Sequence, residues 1–152
     1  MQNIKTKITQ MHYQRDSKGV LFDILKFCSY FYGFGSRMKN FLYDNKILKP
    51  KKVNAYVISV GNMTTGGVGK TPVVSEIAKY LVNLGQRVAI VSRGYGGKLD
   101  NRKINMISDG TSVYFDAVQA GDEPYWLAEN TQGAYVFTCR NRYLAAKMAV
   151  EK

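Results

Sequence analysis

The run AYVISVGNMTTGGVGKTP, residues 55–72, constrains the fold more than any other part of the chain. Ala55 to Val60 are apolar and rich in β-branched residues, the composition of a strand buried on both faces of a parallel sheet. A glycine-rich loop follows, and from Lys70 the pattern is helical until Gly85 stops it. Strand, glycine loop and helix in that order form a cradle for phosphate. Gly66, Gly67 and Gly69 let the backbone curl so that its N–H groups face anionic oxygens, and the helix's amino end adds partial positive charge. Lys70 reaches the terminal phosphates, the Thr71 hydroxyl suits a Mg²⁺ ion, and Pro72 sits in the first turn, where no N–H is needed. The binding segment is therefore Thr64, Thr65, Gly66, Gly67, Val68, Gly69, Lys70 and Thr71. Thr64 departs from the general pattern, which has Gly five residues before Gly69. A glycine turn without a ligand is the alternative; Lys-Thr opening a helix after an apolar strand speaks against it.

Such a loop serves switches, motors, partition ATPases and kinases alike. The partition class carries KGGVGKT, and here Thr65 stands where its signature lysine would be. The rest of the chain sets the fold class. Gln86 to Val91 is a second apolar strand, followed by the glycine-rich, basic loop SRGYGGKLDNRK. Short strands around Ile104–Ser108 and Ser112–Phe115 flank the turn signal SDG. Gly121 to Asn130 reads as a helix with an acidic start, Ala134 to Thr138 as a strand, and Asn141 to Glu151 as a helix. The alternation predicts an α/β fold of the P-loop NTPase type, a mostly parallel sheet with flanking helices.

With 152 residues the chain suffices for one compact domain, and its net charge of +11 is unusual and uneven. Residues 1–55 hold eleven Lys/Arg against three Asp/Glu, whereas 56–152 hold eleven against eight. The basic excess points to a polyanion, nucleic acid or an anionic membrane surface, with a solvated tail as the plain alternative. Residues 1–18 form a polar arm, and 19–53 a basic, aromatic helical hairpin ahead of the domain at 54–152. In VLFDILKFCSYFYGFG, Asp23, Lys26 and Ser29 mark one narrow polar stripe on a greasy helix. Gly33 and Gly35 are expected to break it, and Ser36 to cap a second helix, RMKNFLYDNKIL. The stretch is too short and charged to span a bilayer, which takes roughly 20 apolar residues. It fits either a helical layer on the core or an anchor lying in the membrane interface. Nucleic acid is the weaker partner, because the charge sits beside greasy residues and not on the sheet. Cys28 and Cys139 are far apart and read as free thiols, and His12, the sole histidine, as exposed.

Three motifs in order, VGNMTTGGVGKTP, SRGYGG and AGDEPYWLA, resemble the tetraacyldisaccharide 4'-kinase (lipid A 4'-kinase) family, and the segment ending FLYDNKIL is similar to that family's amino-terminal region. The likeness covers about Leu21 to Lys152. The family's loop has Thr or Ser where the general pattern has Gly, which accounts for Thr64. The resemblance implies ATP and Mg²⁺ as cofactors and transfer of phosphate to a sugar hydroxyl of a lipid-linked disaccharide, at the cytoplasmic face of the inner membrane. It implies no nucleic acid and no obligate protein partner. Asp122 matches the family's catalytic aspartate, a base for the attacking hydroxyl, and Glu123 an acid that influences the metal; by themselves the two read as charges capping a helix start. Arg93 in SRGYGG suits neutralising phosphate charge, and Gly94, Gly96 and Gly97 make its loop pliable, with a plain surface loop as the alternative; Arg142 matches an arginine that the family uses near the substrate phosphate, with a solvated arginine at a helix start as the alternative. Asn141 stands where the family often has Asp. The family's later Asp-Asp-Gly-Phe-Gln segment and a later histidine do not occur in the sequence. The resemblance therefore implies an amino-terminal half of the kinase, with an incomplete sheet and little activity by itself.

Overall fold

The computed structural model describes residues 20–61 and 69–152, with side chains from Asp23 onward. The polar arm, His12 and the loop residues Thr64, Thr65, Gly66, Gly67 and Val68 lie outside the described residues. The chain divides into two compact units, residues 1–50 and 51–152.

In the first unit, α1 (Val20–Asp44) is one continuous helix of 25 residues, about 37 Å long. The expected break at Gly33 and Gly35 does not occur, and Ser36 lies inside the helix, so there is no hairpin. A mid-helix glycine costs only about 1 kcal/mol relative to Ala, a weak local penalty that does not by itself end a helix. A glycine ends a helix where it takes the left-handed conformation, and neither of these does. Lys46 instead takes that conformation beyond the end, with φ of 59°. Phe27 and Phe31 meet edge to face at i and i+4, ring centres 5.0 Å apart. No described helix is long and apolar enough to cross a membrane.

In the second unit, α2 (Lys70–Asn83) ends as its sequence predicts. Gly85 has φ of 72°, its amide donates to the Val82 carbonyl, and the Gln86 amide donates to that of Leu81, a double closure of the last turn. Strands β1 (Val88–Ser92), β2 (Asn105–Asp109) and β3 (Ala134–Thr138) form one sheet in the order β1-β3-β2. β1 runs parallel to β3, Ile90 opposite Val136. β2 runs antiparallel to β3 with a bulge between Met106 and Ser108. The sheet is thus mixed, where the βα alternation had suggested mostly parallel. The connection from β1 to β2, residues 93–104, contains no helix, so β2 is not held to the direction of β1 by a crossover; the SDG turn, with Gly110 at φ of 90°, then folds the chain back along β2 itself. Residues 112–115 contribute only an isolated bridge, Ser108 to Val113.

The sheet lies between two helical layers. Val136 and Ile90 face α2, the short α3 (Ala117–Ala120) and α4 (Asp122–Asn130), joining Ala78, Leu127 and Ala128 in the larger core. Phe137 faces the other way, with Cys139, Met106 and Val91, onto α5 (Arg142–Val150) and its Ala145. This is the two-residue period of a strand covered on both sides. Cys28 and Cys139 are free, the first exposed and the second buried.

One expected strand is not formed. Residues 55–60 belong to no ladder, and Tyr56, Val57 and Ile58 are exposed. Strand propensity describes how well a side chain suits a pleated, half-buried surface, and no sheet edge among the described residues meets this segment.

Candidate active site

The site begins at two helix starts. Gly69 precedes α2 with φ of 75°, a left-handed conformation that a side chain would strain. Lys70, Thr71 and Pro72 then form the first turn of α2. Gly121 precedes α4 with φ of 94°, and Asp122 and Glu123 form its acidic first turn. Two hydrogen bonds tie the helices. Thr71 Oγ1 donates to Glu123 Oε1 at 2.9 Å, and Ser75 Oγ donates to the Asn130 carbonyl at 3.4 Å. Between their starts lies an open cavity of about 390 Å³, lined by Thr71, Pro72, Asp122, Glu123 and Trp126. Residues fifty positions apart in sequence, from two of the three motifs, therefore share one hollow.

The third motif meets the second through its glycines. Gly97 packs so tightly on the turn before Asp122 that a Cβ there would fall 2.5 Å from the Gln119 carbonyl oxygen and 2.6 Å from the Ala120 carbonyl carbon. A Cβ on Gly121 would fall 2.5 Å from the Tyr95 carbonyl oxygen, and one on Gly94 would fall 3.0 Å from Thr138 Cβ. Lys98 and Leu99 amides donate to the Val118 and Gln119 carbonyls. Gly97 and Gly121 thus permit interlocking backbones, and Gly94 a close approach to the Thr138 side chain, where glycine richness had suggested pliability. The lock fixes the path of the chain into Asp122. A capping box helps: Asp116 accepts from the Gln119 amide, and the Gln119 side chain accepts from the Asp116 amide.

Arg93 follows β1 directly and Arg142 opens α5 after β3. Both follow the carboxyl ends of the parallel pair, where open α/β sheets bind ligands. Neither lines the cavity, and both are exposed. The Asn141 side chain makes no capping hydrogen bond at the start of α5. Pro72 and Trp126 are the lining residues to which the sequence assigned no place in the hollow. Trp126 was legible in principle, since it stands four residues after Asp122 and so on the same helix face.

The donor set suits a hard cation. A threonine hydroxyl that gives its proton to a carboxylate turns its lone pairs toward open space, and Asp122 borders the same hollow. Among the described residues no three His, Cys, Asp or Glu side chains gather as a metal cage. Mg²⁺ does not require one, because it keeps several waters and takes few protein ligands beside phosphate.

Known proteins resemble this chain along nearly all of its length. A family model described as tetraacyldisaccharide-1-P 4'-kinase matches residues 21–152. A tetraacyldisaccharide 4'-kinase of Desulfotalea psychrophila is 44% identical over 135 residues, 89% of this chain and 38% of that protein. One from Syntrophus aciditrophicus is 40% identical over 129 residues, 85% of this chain and 34% of its own length. Among solved structures, apo-form LpxK from Aquifex aeolicus in complex with ATP is similar with a TM-score of 0.75 and 37% identity, over 88% of this chain and 41% of that one. The chain spans nearer a third than a half of the relatives it matches. With two motifs sharing one hollow, the third packed against the turn before Asp122, and a family model covering residues 21–152, the chain belongs to the tetraacyldisaccharide-1-P 4'-kinase family.

Proposed function

We propose that the chain supplies the phosphate-binding and acid–base part of a kinase that moves the γ-phosphate of ATP to the 4'-hydroxyl of a tetraacyldisaccharide 1-phosphate in lipid A biosynthesis. The hydrogen bond from Thr71 to Glu123, beside Asp122, carries this reading, because it puts the start of the phosphate loop's helix next to the acidic pair. In the proposal residues 55–72 act as a P-loop: amides from Thr64 to Gly69 and the Lys70 ammonium hold the β- and γ-phosphates. Thr71 would hold Mg²⁺, with its hydroxyl oriented by Glu123. Bound there, the ion would offset charge on the transferring phosphoryl group. Asp122 would orient the sugar hydroxyl and accept its proton late in a loose transition state. Arg93 and Arg142 would draw substrate phosphate toward the carboxyl edge of the sheet.

The substrate is an amphiphile, and α1 suits the surface in which it sits. Phe27, Tyr30, Phe31, Tyr32, Phe34 and Phe41 are exposed along a helix that also carries Lys26, Arg37 and Lys39. Aromatic rings at headgroup depth and cations on anionic lipid would hold it in the interface, at the cytoplasmic face of the inner membrane.

Calorimetric titration with Mg-ATP tests the nucleotide half. The chain is expected to bind, and Lys70→Ala to weaken binding at least tenfold. Joining the chain to the remaining length of the Desulfotalea psychrophila relative tests transfer. Label from ATP should then reach the disaccharide lipid and be lost with Asp122→Asn. Equal labelling in that variant would remove Asp122 from its role.

A further inference from the structure

We propose that Trp126 is the platform on which the acceptor sugar ring stacks, making it a residue that sets acceptor specificity; the inference rests on the kinase reading above. Trp126 stands one helical turn after Asp122 on α4, on the same face, and lines the hollow with Asp122, Glu123, Thr71 and Pro72. Side chains at this spacing lie about 5–6 Å apart. Its neighbours Leu127 and Ala128 are buried in the core, yet Trp126 keeps 40% of its surface exposed. Its indole N–H makes no hydrogen bond among the described residues, while its backbone carbonyl accepts from Asn130 Nδ2. A large aromatic face and an unused donor thus border the carboxylate assigned to the attacking hydroxyl.

The chemistry fits a pyranose. Its faces carry C–H groups and its rim carries hydroxyls, so one face lies on an apolar plane while the rim meets polar groups. The indole offers that plane with a positive-edge N–H beside it. A ring laid on Trp126 would present one rim hydroxyl to Asp122 a turn away. Pro72, across the hollow, adds a second apolar wall without a competing amide donor. Stacking is insensitive to which hydroxyl is presented, so Trp126 holds the ring and Asp122 selects the edge.

Trp126 is the only tryptophan in the chain, and its emission reports on this site alone. The 152-residue chain in detergent micelles is titrated separately with tetraacyldisaccharide 1-phosphate, with phosphatidic acid and with Mg-ATP. The disaccharide lipid is expected to shift the emission, and phosphatidic acid, which has phosphate and acyl chains but no sugar, to leave it nearly unchanged. Trp126→Ala should weaken binding of the disaccharide lipid about tenfold, Trp126→Phe by less than about threefold, and neither should change Mg-ATP affinity. An equal response to phosphatidic acid would show a lipid contact in place of a sugar platform. A response confined to Mg-ATP would show a nucleotide-base contact. Either result, or wild-type disaccharide binding by Trp126→Ala, overturns the proposal. Loss of Mg-ATP binding, or indifference of that binding to Lys70→Ala, would count instead against the kinase reading; a silent Trp126 in a chain that binds Mg-ATP through Lys70 counts against the platform alone.

Discussion

The tripeptide Ala-Tyr-Val occurs twice in the chain, at 55–57 and at 134–136, and meets opposite fates. In β3 the second copy is central: Ala134 and Val136 are fully buried, with β1 on one side and β2 on the other. In the first copy Tyr56 is wholly exposed and Val57 is 72% exposed, and the backbone pairs with nothing described. Local chemistry is the same in both places. What differs is the presence of two strand edges and of helices to cover both faces. A strand is thus a property of the neighbours that receive it, and apolar β-branched composition only states eligibility.

The largest expected effect tests that difference directly. Phe137→Ala removes a fully buried ring and should cost about 3–5 kcal/mol, read from the urea midpoint of the 152-residue chain. Ile58→Ala removes an exposed side chain from the unpaired copy and should change stability by about 0.5 kcal/mol or less. Comparable shifts in the two variants would show that residues 55–60 are packed in solution, and the contrast would dissolve.

The same distinction separates what the sequence disclosed from what it withheld. The bounds of β3 and the stop at Gly85 were legible, because a bounded apolar run and a helix followed by glycine are local signals. The acidic start of α4 and the Lys-Thr start of α2 were equally plain as helix openings. Their convergence was not: the bond between Thr71 and Glu123 spans 52 positions and depends on how two helices pack. The antiparallel placement of β2 depended on pairing partners in the same way. The continuity of α1 failed for another reason, since the glycines at 33 and 35 were weighed as breakers when the surrounding helix could carry them. The four-residue α3 went unseen, although Asp116 and Gln119 spell its capping box.

Those glycines supply the middle-sized test, because they too share an identity and differ in surroundings. A Cβ on Gly97 would strike backbone carbonyls of Gln119 and Ala120, which cannot swing aside as a side-chain tip could. Gly97→Ala should therefore cost about 2 kcal/mol. It should also displace the turn before Asp122, so phosphoryl transfer in the extended chain should fall while Mg-ATP binding holds. A Cβ on Gly33 would meet nothing within 4 Å, and the residue is not left-handed. Gly33→Ala should favour α1 by about 0.5–1 kcal/mol, seen as greater helical ellipticity on heating. Equal effects of the two substitutions would mean that the loop at 93–97 is not locked.

The smallest effect lies on the far flank of β3, where β2 turns back. The Asp109 carboxylate accepts from the Tyr114 hydroxyl and from the Thr111 and Ser112 amides. These bonds, the tyrosine's first, hold its pKa down to about 2. A carboxyl group with a lower pKa folded than unfolded contributes stability that is complete above the unfolded value, about 4, and is lost as pH falls toward 2. Tyr114 shifts the other way, raised chiefly by the same bond, so its contribution is complete below about pH 10 and fades as the phenol ionises. Tyr114→Phe removes the leading cause, and the Asp109 carboxyl titration followed by NMR should move up toward the ordinary range. The turn that folds residues 112–115 back along β2 would then loosen at a higher pH, whereas residues 55–60, which carry no such turn, should show no acid transition of their own. An unmoved Asp109 titration would mean that the two amides alone hold the carboxylate, and that the turn depends on its backbone and not on Tyr114.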